Sequence, residues 1–239
     1  MPASHSLPHA AIFDMDGVLV DSNPYHLQKW TELLKEHHVR FDEAALPKQV
    51  LGPSNDITLR LFFGSPIAAE EISRLSEELE AKFRRAFGPH ARPLPGLHSL
   101  LAECHTEGVL MAVASSAMAK NLDFVVDALE LRPYFRCLVS GDEVSHSKPH
   151  PEIYLQTAQK LGIEPASCVA FEDSLVGIEA VKRAGMKCVA IASTFPLQEL
   201  RVETRADLVV PGFEGLTLHT LQRLFDRDAG SPGKKAWTG

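Results

Sequence analysis

AAIFDMDGVLVD, residues 10–21, is the segment from which the fold of this chain is most readily predicted. Its first four residues form an apolar run that is typical of a buried parallel strand. The run ends abruptly at two carboxylates, Asp14 and Asp16, and Gly17 follows at once. Ligands of open α/β sheets lie beyond the carboxyl ends of the strands. The segment therefore predicts a strand that delivers two acidic side chains to a ligand site.

Two simpler explanations of this motif need to be weighed. A calcium loop has a similar start, but it needs a third oxygen ligand just before its glycine and a glutamate six residues after it. Here Met15 and Asp16 precede Gly17, and Asn23 stands where the glutamate would be, which disfavours calcium. These residues alone are also compatible with a plain turn at the end of a strand, so the choice between a turn and a ligand site depends on the rest of the sequence.

The composition is that of a folded protein with small-molecule partners. The 239 residues are 45% hydrophobic and 23% charged, and this length suits one domain or one domain with a smaller insert. The net charge of -7 opposes a general attraction to nucleic acid or to anionic membranes, so we expect neither as a partner. The sequence has no long apolar run and no signal-peptide pattern, which predicts a cytoplasmic protein. It does not indicate the oligomeric state.

The region between residues 21 and 94 is predicted to be helical throughout. Apolar residues recur there at helical spacing, and nothing in the interval has strand character. Asn23 is the predicted N-cap of the first helix, with Pro24 at the first helical position. The predicted helices cover residues 25–38, 57–63 and 67–87.

Strands alternate with helices in the remainder of the chain. Predicted strands cover residues 109–114, 135–140, 168–171, 187–192 and 208–210, and predicted helices cover residues 96–107, 119–131, 151–161, 175–184 and 214–225. The alternation predicts an α/β fold with a doubly wound parallel sheet. Since one strand precedes the helical region, we predict an α/β core and an inserted helical domain. The predicted boundaries give a core of residues 9–20 and 95–226, a helical domain of 21–94 and a flexible tail of 227–239.

Polar side chains also follow the later strands. They are Ser115 and Ser116, Lys148, and Glu172 and Asp173. Because the carboxyl ends of parallel strands share one edge of a sheet, we expect these groups to converge beside the two aspartates of the first strand.

This combination fits phosphoryl transfer through an aspartyl phosphate. A carboxylate can attack phosphorus and so divide one difficult displacement into two easier ones. Ser115 can donate to a phosphoryl oxygen, and Lys148 can balance the charge on those oxygens. Like charges about 4 Å apart repel by roughly 4 kcal/mol at an effective dielectric near 20, and one lysine cannot offset several such pairs. We therefore predict a bound Mg²⁺, which prefers hard oxygen ligands.

Four segments of the sequence resemble the motifs of the haloacid-dehalogenase-like hydrolase superfamily. They are DMDGVL at residues 14–19, Ser115, Lys148-Pro149 and Glu172-Asp173-Ser174. The helical region after the first motif is similar to the small helical cap of a subfamily that includes phosphoglycolate-phosphatase-like enzymes, sugar-phosphate phosphatases and β-phosphoglucomutase. The resemblance covers about residues 10–226 and implies a Rossmann-like core with an inserted cap.

The resemblance implies a role for each matching position. Asp14 would be the nucleophile, and Asp16 would protonate the leaving oxygen and then deprotonate the attacking water. Four residues would hold the phosphoryl group, the last two as secondary contacts: Ser115, Lys148, Ser116 and Asn121.

The resemblance also implies a metal site. Mg²⁺ would be held by Asp14, the backbone carbonyl of Asp16 and Asp173, with Glu172 bonding directly or through water. His26 stands where mutase-like members carry a histidine at the cap hinge, but a solvated or capping histidine accounts for it equally well.

Among the reactions of this superfamily, we expect a phosphatase. Asp16 argues against dehalogenation, which has no leaving alkoxide to protonate. Mutase-like members hold a second phosphate with an arginine at the position that we align with Asn55, and a neutral amide cannot form that charged fork. Arg60, Lys82 or Arg84 could supply the charge from elsewhere, so a β-phosphoglucomutase-type mutase remains the alternative.

A phospho-acceptor signalling domain shares the doubly wound sheet, the acidic pocket and the lysine. Such a domain is shorter, has no helical insert and takes phosphate on a later strand. The sequence therefore favours a Mg²⁺-dependent phosphatase that acts on a small phosphorylated metabolite, either a sugar phosphate or a phosphoglycolate-like molecule.

Overall fold

A six-stranded, all-parallel sheet forms the centre of the computed structural model, which describes residues 7–64 and 66–229. Its strands are β1 (Ala10–Phe13), β2 (Leu110–Ala114), β3 (Cys137–Val139), β4 (Cys168–Glu172), β5 (Lys187–Ile191) and β6 (Leu208–Val210). Their order across the sheet is β3-β2-β1-β4-β5-β6. The strand order therefore runs in one direction from β1 through β2 to β3 and in the opposite direction from β4 to β6. Doubly wound sheets bind ligands in the crevice where the strand order reverses, here between β1 and β4. The predicted α/β fold class is confirmed.

Ten helices surround or follow the sheet in the described part of the chain. They are α1 (Asn23–Glu36), α2 (Leu46–Val50), α3 (Asn55–Phe63), α4 (Ala69–Phe87), α5 (Leu97–Thr106), α6 (Ala119–Ala128), α7 (Glu152–Leu161), α8 (Leu175–Arg183), α9 (Leu197–Glu203) and α10 (Leu218–Ala229). Helices α5, α6 and α10 bury their apolar residues on one face of the sheet, and α7, α8 and α9 do so on the other. Across residues 7–64 and 66–229, no helix combines the length and the apolar character needed to cross a membrane.

Strand β1 is buried on both faces of the sheet, which explains why its sequence is apolar without alternation. Phe13 stacks on Phe171 of β4, with the ring centroids 4.6 Å apart and the planes 8° from parallel. Ile12 belongs to the apolar cluster on the opposite face. These contacts fix the end of β1 and therefore the place at which the acidic residues leave the sheet.

Helices α1 to α4, residues 23–87, lie in the chain between β1 and β2, and we call them the helical insert. They have an apolar cluster of their own, centred on Trp30, Leu34 and Leu79. The two ends of the insert are close together, because Val20 and Pro93 form an isolated antiparallel bridge. The domain boundaries at residues 20/21 and 94/95 stay a prediction.

Some predicted elements differ from the observed ones. The short helices α2 and α9 were not predicted, and the last helix is α10, which begins and ends later than residues 214–225. The predicted N-cap Asn23 is wrong by one residue, because the carbonyl of Ser22 accepts the first helical hydrogen bonds, from the N–H groups of Tyr25 and His26. Residues 227–229 of the predicted tail belong to α10, and residues 230–239 lie outside the described residues.

Candidate active site

Asp14 lies at the carboxyl end of β1, where its backbone N–H donates to the carbonyl of Phe171 at 3.0 Å. Asp14 is 7% exposed. The segments that follow β2, β3 and β4 reach the same edge of the sheet and bring Ser115, Lys148 and Asp173 to a shared cavity with Asp14. The convergence of distant segments at one edge is the arrangement that parallel strands impose.

Lys148 connects two of the predicted acidic residues. Its Nζ donates to Asp14 Oδ1 and to Glu172 Oε1, each at 2.6 Å, and the side chain is 2% exposed. Burial would lower the pKa of this amine, but the two carboxylates raise the pKa of Lys148 above its usual value. Lys148 is therefore a fixed positive charge that touches the candidate nucleophile.

Three buried carboxylates crowd the carboxyl edge of the sheet beside Lys148. Asp14, Glu172 and Asp173 each offer an oxygen atom within 4.8 Å of the others. Burial raises the pKa of Asp14 to about 8, with Lys148 opposing the rise and Glu172 adding to it. Burial and the same negative neighbours raise the pKa of Asp173 well above its usual value. A single lysine leaves this cluster short of positive charge, so its hard oxygen donors fit a divalent cation such as Mg²⁺.

Glu172 is held by donors on every side. It accepts hydrogen bonds from the Tyr154 hydroxyl at 2.7 Å, the Ser174 hydroxyl at 3.0 Å and the backbone N–H groups of Asp173 and Ser174. A Cβ atom on Gly177 would lie 1.9 Å from Glu172 Oε1. Only glycine therefore leaves room for this carboxylate at the start of α8.

Asp173 is oriented by two residues for which the sequence predicted no role at this site. Asn23 Nδ2 donates to Asp173 Oδ2 at 2.7 Å, and the Thr194 hydroxyl donates to the same oxygen. Gly17 passes close by with a φ of +70°, and a Cβ atom there would lie 1.9 Å from Asp173 Oδ2. The glycine of the first motif is thus required both by its backbone conformation and by the approach of this carboxylate.

Asp16 has a different environment from Asp14. Its Oδ1 accepts from the Ser22 hydroxyl at 2.5 Å and lies 2.8 Å from His26 Nε2, while the His26 ring stacks on Phe83 with centroids 4.1 Å apart. Burial would raise the pKa of Asp16, but His26 and the Ser22 hydrogen bond lower it below its usual value. The two aspartates of one motif therefore have pKa values shifted in opposite directions.

The two serines after β2 reach the cavity, whereas Asn121 does not. Ser115 is buried, and its Oγ accepts the backbone N–H of Ala117 at 3.1 Å. Ser115 and Ser116 both line the cavity. Asn121 instead donates to Glu80 and accepts from Arg84, both in α4. This placement does not support a phosphate contact by Asn121, because α4 occupies both ends of its amide.

The cavity has a volume of about 720 Å³ and lies between the sheet edge and the helical insert. The core contributes the acidic residues, the serines and Lys148. From the insert, Trp30, Asn55 and Glu80 line the opposite wall. A small molecule held at Asp14 would therefore extend toward the insert.

The site is a buried acidic pocket with one lysine at the carboxyl edge of a doubly wound sheet, the edge at which α/β folds bind ligands. Residues 11–191 match the model of the haloacid dehalogenase-like hydrolase family, and the chain belongs to that family.

Relatives of this chain include phosphatases and a phosphomutase. Hexitol phosphatase B of Escherichia coli strain K12 is 33% identical over 190 residues, which cover 76% of this chain and 82% of the relative. The β-phosphoglucomutase of Bacillus subtilis is 30% identical over 225 residues, 91% of this chain and 96% of that protein. A solved β-phosphoglucomutase structure from Clostridium difficile has a TM-score of 0.81 and 25% identity, covering 92% of this chain and 98% of that one.

Proposed function

We propose that this protein is a Mg²⁺-dependent phosphatase that hydrolyses a small phosphomonoester through an aspartyl phosphate on Asp14. The observation that carries the proposal is the setting of Asp14, which is buried, bonded to Lys148 and placed at the wall of a cavity beside Asp16. Membership of a hydrolase family and the relatives named as phosphatases support a phosphoric monoester hydrolase. The substrate we infer is a phosphorylated metabolite such as a sugar phosphate.

In the first step, an oxygen of Asp14 attacks the phosphorus atom. The bond between that oxygen and phosphorus forms, and the bond between phosphorus and the leaving oxygen breaks. The phosphate that binds beside Asp16 adds negative charge and so favours a protonated Asp16 in the substrate complex. Asp16 donates this proton to the leaving oxygen, so that a neutral alcohol departs. Lys148 and Ser115 hold the phosphoryl oxygens and offset their charge.

In the second step, water attacks the aspartyl phosphate. Asp16 takes a proton from this water, the bond between phosphorus and Asp14 breaks, and inorganic phosphate is released. His26 and Ser22 hold Asp16 through its Oδ1 and so fix its orientation for both transfers.

The residues that would hold Mg²⁺ are Asp14, Asp173 and the backbone carbonyl of Asp16, with Glu172 bonding directly or through water. When bound, the ion supplies positive charge that lowers the cost of placing a phosphate among these carboxylates. Asn23 and Thr194 keep Asp173 turned toward its neighbours.

We also propose that the helical insert acts as a cap, with the boundaries predicted from the sequence: a cap of residues 21–94 over a core of 9–20 and 95–226. Support comes from the cavity, which the insert closes opposite Asp14. The cytoplasmic location stays a prediction.

A phosphatase agrees with the cavity better than a mutase, which must also bind a second phosphate. Asn55 lines the cavity where an arginine would serve a mutase. Arg60 pairs with Asp56, and Lys82 pairs with exposed glutamates of α1 and α4. Arg84 is bonded to Asn121 and Glu77. These three cations are committed to other partners and do not line the cavity.

The test is an assay of phosphate release. Purified protein with Mg²⁺ is given p-nitrophenyl phosphate, phosphorylated sugars, phosphoglycolate and nucleotides, while formation of glucose 6-phosphate from β-glucose 1-phosphate is followed in parallel. We expect many turnovers of free phosphate and no glucose 6-phosphate. A single turnover per chain would indicate a phospho-acceptor domain, and efficient isomerisation would indicate a mutase; either result would overturn the proposal.

A further inference from the structure

The helical insert forms one wall of the cavity, and this wall contains a buried carboxylate whose positively charged partner does not reach the cavity. Lys29 Nζ donates to Glu80 Oε1 at 2.6 Å, and the side chains are 4% and 6% exposed. Glu80 lines the cavity, whereas Lys29 does not. Burial would raise the pKa of Glu80, but Lys29 and the hydrogen bond from Asn55 lower it, so the carboxylate is charged at neutral pH. A negative group therefore faces the space in which a leaving group would lie.

Glu80 is fixed by three elements, so it cannot turn away from a ligand. Lys29 of α1 and Asn55 of α3 donate to Oε1, and Asn121 of α6 donates to Oε2. Asn55 Nδ2 uses one of its two N–H groups to donate to Glu80 at 2.7 Å, and no described residue donates to the amide oxygen of Asn55, which can therefore accept from a ligand. The pair Glu80 and Asn55 thus presents hydrogen-bond acceptors to the cavity.

The insert offers no compensating cation to a ligand in this cavity. Among residues 23–64 and 66–87, no lysine or arginine lines the cavity, while two carboxylates, Asp56 and Glu80, do. Trp30, which is 1% exposed, adds an aromatic surface to the same wall. Aromatic rings pack against the apolar faces of ligands, and acceptors bind their hydroxyl groups.

We propose that Glu80 and Asn55 form a charge filter that selects phosphomonoesters with an uncharged, hydroxyl-bearing leaving group and rejects those with a second anionic group. This inference rests on the proposed phosphatase activity and names its substrate class. A hydroxyl can donate to the acceptors of this wall, whereas a carboxylate or second phosphate would face Glu80 as a like charge. Arg183 of α8 also lines the cavity, but it pairs with Glu179.

The experiment compares kcat/KM for two kinds of substrate. Sorbitol 6-phosphate has an uncharged polyol as its leaving group, while phosphoglycolate and glucose 1,6-bisphosphate carry an additional anion. We expect kcat/KM to favour sorbitol 6-phosphate by ~100-fold, the scale of discrimination that a like charge facing a buried carboxylate provides. p-Nitrophenyl phosphate serves as a substrate that reports the phosphoryl chemistry alone.

Two variants test whether these residues carry the selectivity. Asn55→Arg and Glu80→Gln should each reduce the preference for sorbitol 6-phosphate by at least ~tenfold, because each makes the wall less negative. Glu78→Gln is the matched control. It removes the same charge from α4, but Glu78 pairs with Arg74 and Lys82 on the exposed side of the helix and does not line the cavity.

The outcomes separate the filter from the activity on which it rests. If p-nitrophenyl phosphate is hydrolysed but the anionic substrates match sorbitol 6-phosphate, the filter is refuted and the phosphatase stands. If no phosphate ester is hydrolysed, both are refuted. Asn55 is half-buried and outside the ion pair, so Asn55→Arg gives a result even if Glu80→Gln does not fold. If folded Asn55→Arg still preferred sorbitol 6-phosphate to the anionic substrates as strongly as the wild type does, the proposal that Asn55 and Glu80 form the charge filter would be overturned.

Discussion

Asp14 is the residue on which the proposed chemistry depends most directly. It is buried between a strand end and Lys148, so an isosteric change alters its chemistry while leaving its packing in place. We expect Asp14→Asn to lower the turnover of p-nitrophenyl phosphate by at least ~10³-fold, because an amide cannot form the covalent intermediate.

The control for this substitution is Asp21→Asn, which makes the same change at an exposed position of the same segment. Circular dichroism spectra should show that both variants are folded. Turnover by Asp14→Asn at a rate close to that of Asp21→Asn would rule out Asp14 as the nucleophile.

Metal dependence is also a prediction about individual residues, because burial and neighbouring carboxylates raise the pKa values of Asp14 and Asp173 in spite of Lys148. We expect EDTA to stop hydrolysis and Mg²⁺ to restore it. Mg²⁺ should also raise the thermal unfolding midpoint of the wild type, since a ligand that binds only the native state stabilises it.

Asp173→Asn should weaken this thermal response without removing the fold. Differential scanning fluorimetry over a series of Mg²⁺ concentrations gives the comparison independently of any activity. Full hydrolysis in excess EDTA, or an equal midpoint shift in Asp173→Asn, would contradict the assigned metal site.

The lowered pKa of Glu80 predicts how stability changes in acid. The unfolded chain binds this proton near the usual pKa of 4.5, and the folded chain binds it only at lower pH. The ionised Glu80 therefore makes its full contribution to the free energy of unfolding above the unfolded pKa. This contribution is lost as the pH falls through the pKa of the folded protein. Between about pH 5 and pH 3, the free energy of unfolding of the wild type should fall more steeply than that of Lys29→Met/Glu80→Gln.

Urea unfolding at several pH values measures these slopes, with the exposed substitution Glu70→Gln as the control. Equal slopes in the wild type and the double variant would mean that Glu80 has an ordinary pKa in the folded protein.

The sequence predicted the acidic residues of the site but not their supports. Asp14 and Asp173 could be found because a charged pair at the end of an apolar strand is conspicuous. Asn23 and Thr194, which hold Asp173, are ordinary polar residues of a helix start and a loop. Their side chains also contact each other, although 171 positions separate them in the sequence. Asn121 was predicted from the resemblance to the family, and nothing in the local sequence shows that α4 would occupy its amide.

At the scale of helices, the ion pair of Lys29 and Glu80 joins α1 to α4 inside the insert. Breaking a buried pair by removing one partner leaves an uncompensated charge, so we expect Lys29→Met to lower the free energy of unfolding by about 3 kcal/mol. The double variant Lys29→Met/Glu80→Gln should recover much of this loss, because neither charge remains buried.

Urea unfolding at neutral pH tests this cycle. Lys35→Met, a change at an exposed position of α1, is the control. If the single and double variants were equally destabilised, the loss would come from packing and not from the unpaired carboxylate.

Prediction of whole elements succeeded where burial was the deciding factor. Strand β1 was predicted correctly because both of its faces are buried and its sequence is apolar throughout. Helices α2 and α9 are five and seven residues long, too short for a helical period to be recognised. Ser22 displaced Asn23 as the N-cap because Asn23 turns its side chain to Asp173, a contact that only the tertiary structure creates.

At the scale of the whole molecule, the insert touches the core through Phe83 and Phe87, which belong to the apolar cluster of the core, and through polar contacts around the cavity. Lys48 of α2 pairs with Glu199 of α9 at 2.6 Å, and the backbone N–H of Ser54 donates to the Ser147 hydroxyl at 3.3 Å. Polar contacts that are in part open to solvent are weak, so these two can break to admit a substrate and form again around it.

We expect the free protein to be more open on average than the protein with beryllium fluoride and Mg²⁺ bound. Small-angle scattering should give a smaller radius of gyration in the bound state. Lys48→Gln should enlarge the free protein, whereas Lys35→Gln, whose partner Glu43 lies within the insert, should not. An unchanged radius of gyration on binding would argue against a closing cap.

The bridge between Val20 and Pro93 makes the two crossings of the chain neighbours in space. In a hybrid protein, the helical insert of this chain could be replaced by that of a relative. The two points at which the chains are joined would then lie side by side, near Val20 and Pro93. Such a hybrid should inherit the donor's choice of alcohol while retaining the phosphorus chemistry of the recipient.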